Sequence, residues 1–120
     1  MTTKEIGNLG ENLAVKVLLS KNFKVINRNF KSKRGEIDII CLKDNIISFV
    51  EVKSMCMFKN NFILEPREQI NSRKIFRIRS TANYFLTINN LHNSTYKFDL
   101  MEIKFWGNKR YSYNYIENIF

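Results

Sequence analysis

The apolar positions of this chain change period several times, and each change marks an element. Thr2 and Glu5 match a capping box. Ile6, Leu9, Leu13, Ala14, Val17 and Leu18 then recur at helical spacing, which predicts a helix over about 3–20 ended by Lys21 and Asn22. Residues 23–30 alternate and predict a strand. Residues 36–42 and 46–53 are two strand-like runs flanking Asp44-Asn45, a strong hairpin-turn pair. Residues 54–65 show no clear period and read as a mobile loop, with a turn at Pro66. Asn71 then caps a second apolar stripe, Ile75, Ile78, Ala82, Phe85 and Leu86, which predicts a helix over about 72–88. Residues 95–105 and 111–116 read as strands joined through Gly107-Asn108-Lys109. The predicted fold is α/β (α+β), a mixed sheet flanked by helices in the order αβββαββ. The chain shows no repeat and no linker, so residues 1–120 are expected to form one domain.

The hairpin carries the chemistry. A symmetric hairpin about Asp44-Asn45 sets Asp38 across from Glu51, Glu36 across from Lys53, Ile37 across from Val52 and Ile39 across from Val50. Alternation along the strands then gathers the apolar pairs on one face and Glu36, Asp38, Glu51 and Lys53 on the other. Like charges directly opposed repel. Two facing carboxylates therefore call for a cation between them or a shifted pKa. Mg²⁺ suits such a pair, because it takes oxygen ligands and keeps several waters. Lys53 would orient the attacking water or neutralise developing charge. Glu36 is a further ligand or a partner of Lys53. Glu11 could complete the site from the first helix, beside Gly7, Gly10 and Ala14. Two glycines inside a helix cost about 1 kcal/mol each, which makes sense where something packs closely against that face. The competing reading of Glu11 is a solvated helix glutamate.

Charge adds a partner to this picture. Twenty Lys and Arg against eleven Asp and Glu give a net charge of +9. Such a balance points to an anionic polymer, with nucleic acid the default, against the plainer reading of solubility. Lys31, Lys33 and Arg34 precede the hairpin, and Arg73, Lys74 and Arg77 lie on the second predicted helix; these six are candidate phosphate contacts. Two cysteines, Cys41 and Cys56, without a CxxC and with His92 the only histidine, do not make a zinc site of the usual kind. No apolar run approaches the roughly 20 residues of a membrane span. The N-terminus has no signal-peptide pattern, so a cytoplasmic location is expected.

Asp38 followed by Glu51-Val52-Lys53 on paired strands is the pattern of the PD-(D/E)xK nuclease superfamily. Gly10-Glu11 with Ala14, Asn29-Phe30, Gly35-Glu36-Ile37-Asp38-Ile39-Ile40, Phe49-Val50-Glu51-Val52-Lys53, Lys74, Ala82, Leu86 and Phe98-Asp99 resemble the bacterial YraN-type endonuclease-like family, over nearly the whole chain. The hairpin is also similar to that of archaeal Holliday-junction resolvases. The resemblance implies a restriction-endonuclease-like core. It also implies a metal-dependent nuclease site at Glu11, Asp38, Glu51 and Lys53, using Mg²⁺ or Mn²⁺ on DNA that is branched or otherwise structured. Junction cleavage would need two active sites, hence a homodimer. The chain departs from the family pattern at Ser54-Met55, where Thr-Arg is usual, and at Lys97, where Arg is usual. Both departures are expected to weaken phosphate contact more than metal binding. Two other readings stand beside the nuclease: a nucleic-acid-binding scaffold without cleavage, and an adaptor that binds partners through its basic helix.

Overall fold

The computed structural model describes residues 2–57, 71–107 and 109–120. Its elements are α1 (Thr3–Ser20), β1 (Lys24–Ser32), β2 (Gly35–Lys43), β3 (Ile46–Cys56), α2 (Ser72–Ile88), β4 (Thr95–Gly107) and β5 (Arg110–Ile116). This is the expected αβββαββ order. Both helix starts follow from their caps. Thr2 Oγ1 accepts from the Glu5 amide at 3.1 Å while Glu5 Oε1 accepts from the Thr2 amide at 3.0 Å, a complete capping box. Asn71 Oδ1 accepts from the Lys74 amide at 2.9 Å.

The five strands form one sheet in the order β1-β2-β3-β4-β5. All neighbours are antiparallel except β3 and β4, which run parallel and are separated in sequence by α2. The β2–β3 turn has φ 53° at Asp44 and 64° at Asn45, the left-handed pair that a two-residue hairpin of matching twist requires and that Asn and Asp tolerate. Ile39 pairs with Val50 and Lys43 with Ile46, so the predicted register holds from the turn to Ile39–Val50; the ladder does not extend to the expected pairs Asp38–Glu51, Ile37–Val52 and Glu36–Lys53.

Each helix covers one face of the sheet. Ala14, Val17 and Leu18 of α1 pack with Ile39, Cys41, Val50, Met101, Ile103 and Phe105. Ile78, Ala82, Phe85 and Leu86 of α2 pack with Ile37, Ile40, Ile47, Phe49 and Phe98. The expected common face of Ile37 and Val52 is therefore corrected. Ile37 belongs to the α2 side, and Val52 packs against the α1 side. Alternation along β2 breaks between Ile37 and Ile39. The β1–β2 pairs Arg28–Ile39 and Phe30–Ile37 set Asn29 opposite Asp38, and Asn29 has φ 53°. Asp38 thus sits where both strands change the face they present.

The expectation of a mobile loop over 54–65 is corrected at its start. Residues 54–56 continue β3, and the Met57 amide donates to Phe105 O at 2.7 Å. The rest of that segment and the turn at Pro66 lie outside the described residues. Cys41 and Cys56 are both free and buried. No helix among the described residues is long and apolar enough to cross a membrane.

Candidate active site

Paired β2 and β3 hold their ladder from the turn down to Ile39–Val50. The next step down places Asp38 beside Glu51, and there a side chain takes over from the backbone ladder. The Val52 amide donates to Asp38 Oδ2 at 2.7 Å. Asp38 and Glu51 line one groove, close enough for the Glu51 carboxyl to act on that of Asp38. Burial, first, and then the adjoining Glu51 charge push the Asp38 carboxyl far above the ordinary carboxylate range; the Val52 amide opposes the shift, and the more distant Glu11 adds to it. Two carboxyl groups this close cannot both ionise cheaply without a cation.

Glu51 has such a cation on its other side. Lys74 Nζ of α2 lies 2.8 Å from Glu51 Oε2, and both side chains are largely shielded, 22% and 12% exposed. Sequence reasoning placed Lys74 among the phosphate contacts, whereas here its ammonium is turned onto the acid. Lys53 is half-buried and follows Glu51 by two residues on β3, so it presents to the same face. The parallel register sets Glu102 of β4 beside Lys53, a neighbour no local pattern reveals.

Glu11 and Glu36 fare differently from the central pair. Glu11 Oε1 accepts from Arg28 Nη2 at 3.0 Å and from Asn29 Nδ2 at 2.9 Å, and Asn12 Oδ1 accepts from Arg28 Nη2 at 2.7 Å. This is not a solvated helix glutamate. It is a half-buried acid held by β1, whose backbone turns left-handed at Asn29. Glu36 is exposed and pairs across β1–β2 with Lys31. Among the described residues, no three acidic, histidine or cysteine side chains gather closely enough to enclose a metal ion. The site is a pair, Asp38 and Glu51, with Glu11 near enough to act on Asp38 and Glu36 exposed on the wall of the same groove.

α1 comes close to β3 at one point. A Cβ on Gly10 would stand 1.8 Å from Ser54 Oγ and 2.8 Å from Ser54 Cβ. The glycine next to Glu11 is therefore the residue that lets α1 settle onto the strand bearing Glu51 and Lys53. Gly35 has the matching part on the other face, where an added Cβ would sit 3.3 Å from both Arg77 Cβ and Thr81 Oγ1. The β1–β2 turn is anchored there: Ser32 Oγ and Thr81 Oγ1 share a hydrogen bond of 2.9 Å, and Ser32 Oγ accepts from the Arg34 amide at 3.1 Å. Turn and helix so enclose a groove of ≈ 830 Å³ with Asp38 and Glu51 in its floor and Lys31, Lys33, Arg34 and Arg77 among its walls. Arg73 is exposed on the first turn of α2.

Lys97 turns out to serve another place. It lies 3.1 Å from Asp99 Oδ2 and also pairs with Glu117. Asp99 is fully buried; it accepts as well from Tyr115 OH and from the Asn118 amide at 3.0 Å. This knot ties the C-terminal residues to β4 and lines a separate cavity with Lys21, Phe23 and Lys43. The expected loss of phosphate contact at Lys97 is thereby corrected, since its ammonium is engaged by two acids away from the groove. Met55, at the other departure from the family pattern, is buried.

A mixed five-stranded sheet with a helix on each face and an acidic pair at the split of its central hairpin is a restriction-endonuclease-like core. The chain belongs to the uncharacterised protein family UPF0102, whose sequence model matches residues 10–103 and which is the YraN-type family. A UPF0102 protein of Clostridium perfringens is 41% identical over 118 residues, covering 98% of this chain and 94% of that protein. One from Clostridioides difficile is 41% identical over 103 residues, covering 86% of this chain and 88% of its own. One from Sulfurihydrogenibium is 40% identical over 120 residues, covering 100% and 97%.

Proposed function

We propose that this protein is a metal-dependent nuclease that hydrolyses phosphodiester bonds in DNA. The observation that carries the reading is the convergence of Asp38 and Glu51 in one groove walled by cations, near enough for the charge of one to act on the other. The donor set fits Mg²⁺, which is commonly held by one or two carboxylates with water and substrate phosphate completing its shell, so two acids are enough. Asp38 and Glu51 would hold the ion, which when bound supplies a more acidic water and positive charge at the phosphate. The other groups have tasks of their own. The Val52 amide fixes the Asp38 carboxylate, and Lys74 fixes that of Glu51 from the α2 side of the groove. Lys53 stands on the Glu51 face to orient the attacking water or to neutralise charge developing on the phosphate. Lys31, Lys33, Arg34 and Arg77 bind flanking phosphates, which positions the strand without reading its sequence.

Glu11 is assigned a supporting part, adding negative potential beside Asp38 from a fixed position on α1. The adaptor reading has little to explain the buried acidic pair. The binding scaffold has one observation on its side, because Lys74 already neutralises Glu51. Incubation with linear, flap and four-way DNA, with Mg²⁺ or Mn²⁺, separates the readings. Metal-dependent cleavage by the wild type that Asp38→Ala and Lys53→Ala both abolish is the expected result. Tight DNA binding with no cleavage of any substrate would leave the scaffold reading in its place.

A further inference from the structure

The groove does not end at the acidic pair. Lys31, Lys33 and Arg34 also form one wall of a second hollow, of ≈ 910 Å³, whose other wall is α2 with Asn83, Tyr84 and Thr87. The two hollows share the β1–β2 turn, so a strand lying over Asp38 and Glu51 would run on into the second one. Their chemistry differs. The first has three carboxylates in its lining, while that of the second has cations, hydroxyls, an amide and one aromatic ring.

That ring is Tyr84 of α2, 49% exposed. Phe30 braces it from the strand side, with ring centroids 6.1 Å apart, and Phe30 is in turn held edge-on by Phe85 at 5.1 Å. The ring is therefore fixed in orientation and still accessible. It belongs to a stripe at helical spacing, Phe76, Ser80, Tyr84 and Thr87. Phe76 is 59% exposed, and the Arg34 guanidinium lies over it at 5.9 Å from the centroid. The rise of α2 between Phe76 and Tyr84 is about 12 Å. Isolated exposed aromatics are ordinary. A braced ring in a hollow walled by three cations, continuous with an acid-floored groove, is a different arrangement.

Duplex DNA offers such a hollow phosphates and sugars, and keeps its base faces stacked on each other. An unpaired nucleotide offers phosphate and an open π-face together. Proteins that hold single strands combine a cationic track with aromatic rings on which bases stack. We propose that the hollow formed by Lys31, Lys33, Asn83 and Tyr84 is a subsite for an unpaired nucleotide next to the scissile position, with its base on Tyr84 and its phosphate on the two lysines. The substrate is then DNA with a single-stranded segment at the cut, such as a flap, a gap or an opened junction arm. The inference rests on the groove being a nucleic-acid site, and it adds which kind of strand that site selects.

The test uses wild type, Tyr84→Ala and Tyr84→Phe, with binding measured in EDTA by fluorescence anisotropy on an oligothymidylate and on a duplex of equal length. A 2-aminopurine placed along the single strand reports stacking. Tyr84→Ala should weaken single-strand binding by roughly tenfold or more, from the worth of one base–aromatic stack. It should leave duplex binding almost unchanged and abolish the 2-aminopurine quench. Tyr84→Phe keeps the π-face and should stay near wild type. An unchanged affinity in Tyr84→Ala, equal losses on both DNAs, or no measurable single-strand binding by the wild type would overturn the subsite. Cleavage is scored separately. Wild-type cleavage without Tyr84 selectivity refutes the subsite and leaves the nuclease. Tyr84 selectivity without cleavage supports the subsite and removes the nuclease.

Discussion

Asp38 has one backbone donor and acidic neighbours, and that imbalance sets its behaviour. Its folded pKa lies above its unfolded value, about 8 against 3.8, because burial disfavours the charged form and Glu51 adjoins it. The folded state therefore binds the extra proton. The stability tied to this group is fully present below the unfolded value and is lost as pH rises through the folded one. In EDTA, wild type should melt progressively lower than Asp38→Asn as pH climbs through that window, with the two melting alike at its acid end. Asn keeps an acceptor for the Val52 amide, so the comparison isolates the charge. Melting curves that shift in parallel with pH would refute the unbalanced pair. Added Mg²⁺ should raise the wild-type melting temperature at the alkaline end and leave Asp38→Asn almost unmoved.

At the scale of elements, the site depends on how closely α1 approaches β3. The two helix glycines look equivalent in the sequence and are not. Gly10 is packed against Ser54, whereas a Cβ on Gly7 would meet nothing within 4 Å. Gly10→Ala should destabilise by about 1–3 kcal/mol, the usual cost of forcing extra volume into a packed contact. Gly7→Ala should stabilise by up to about 1 kcal/mol through helix propensity and reduced freedom of the unfolded chain. Denaturant melts of both variants check the pair of signs. Ser54→Gly combined with Gly10→Ala should recover much of the loss, because the two sites share one contact. If Gly10→Ala melts like wild type, α1 does not sit on β3 as described, and the anchoring of Glu11 goes with it.

The whole molecule carries +9, and its groove concentrates cations on one side of an acidic pair. If Lys31, Lys33, Arg34 and Arg77 each neutralise one phosphate, the affinity for duplex DNA should fall with salt at a log–log slope of about −3.6. Removing Lys31 and Lys33 together should reduce the slope by about 1.8. Titrations of anisotropy against salt measure both. A flat affinity from low to moderate salt would return the molecule to the adaptor reading. Lys74 is left out of this count because its ammonium lies on Glu51.

The sequence determined by itself whatever depends on local periodicity and turn chemistry. Capping residues and apolar stripes located both helices within a residue or so. Asp44-Asn45 set the hairpin, and the hairpin set Asp38 beside Glu51, since a two-residue turn leaves no freedom of register. Tertiary structure decided what depends on partners distant along the chain. The break in alternation at Asp38 is shared with Asn29 of the neighbouring strand, so strict alternation misassigned Ile37, while Val52 stays on the face of Ile39 and Val50. Glu11 is held by Arg28 and Asn29, Glu51 by Lys74, and Lys97 by Asp99 and Glu117. The pairings of Glu11 and Glu51 join elements that meet only because two helices close on opposite faces of one sheet, whereas Lys97 meets Asp99 within β4 and Glu117 just after β5. Long basic side chains are alike in sequence whether they face phosphate or an acid, and only the packing of the fold chooses between the two.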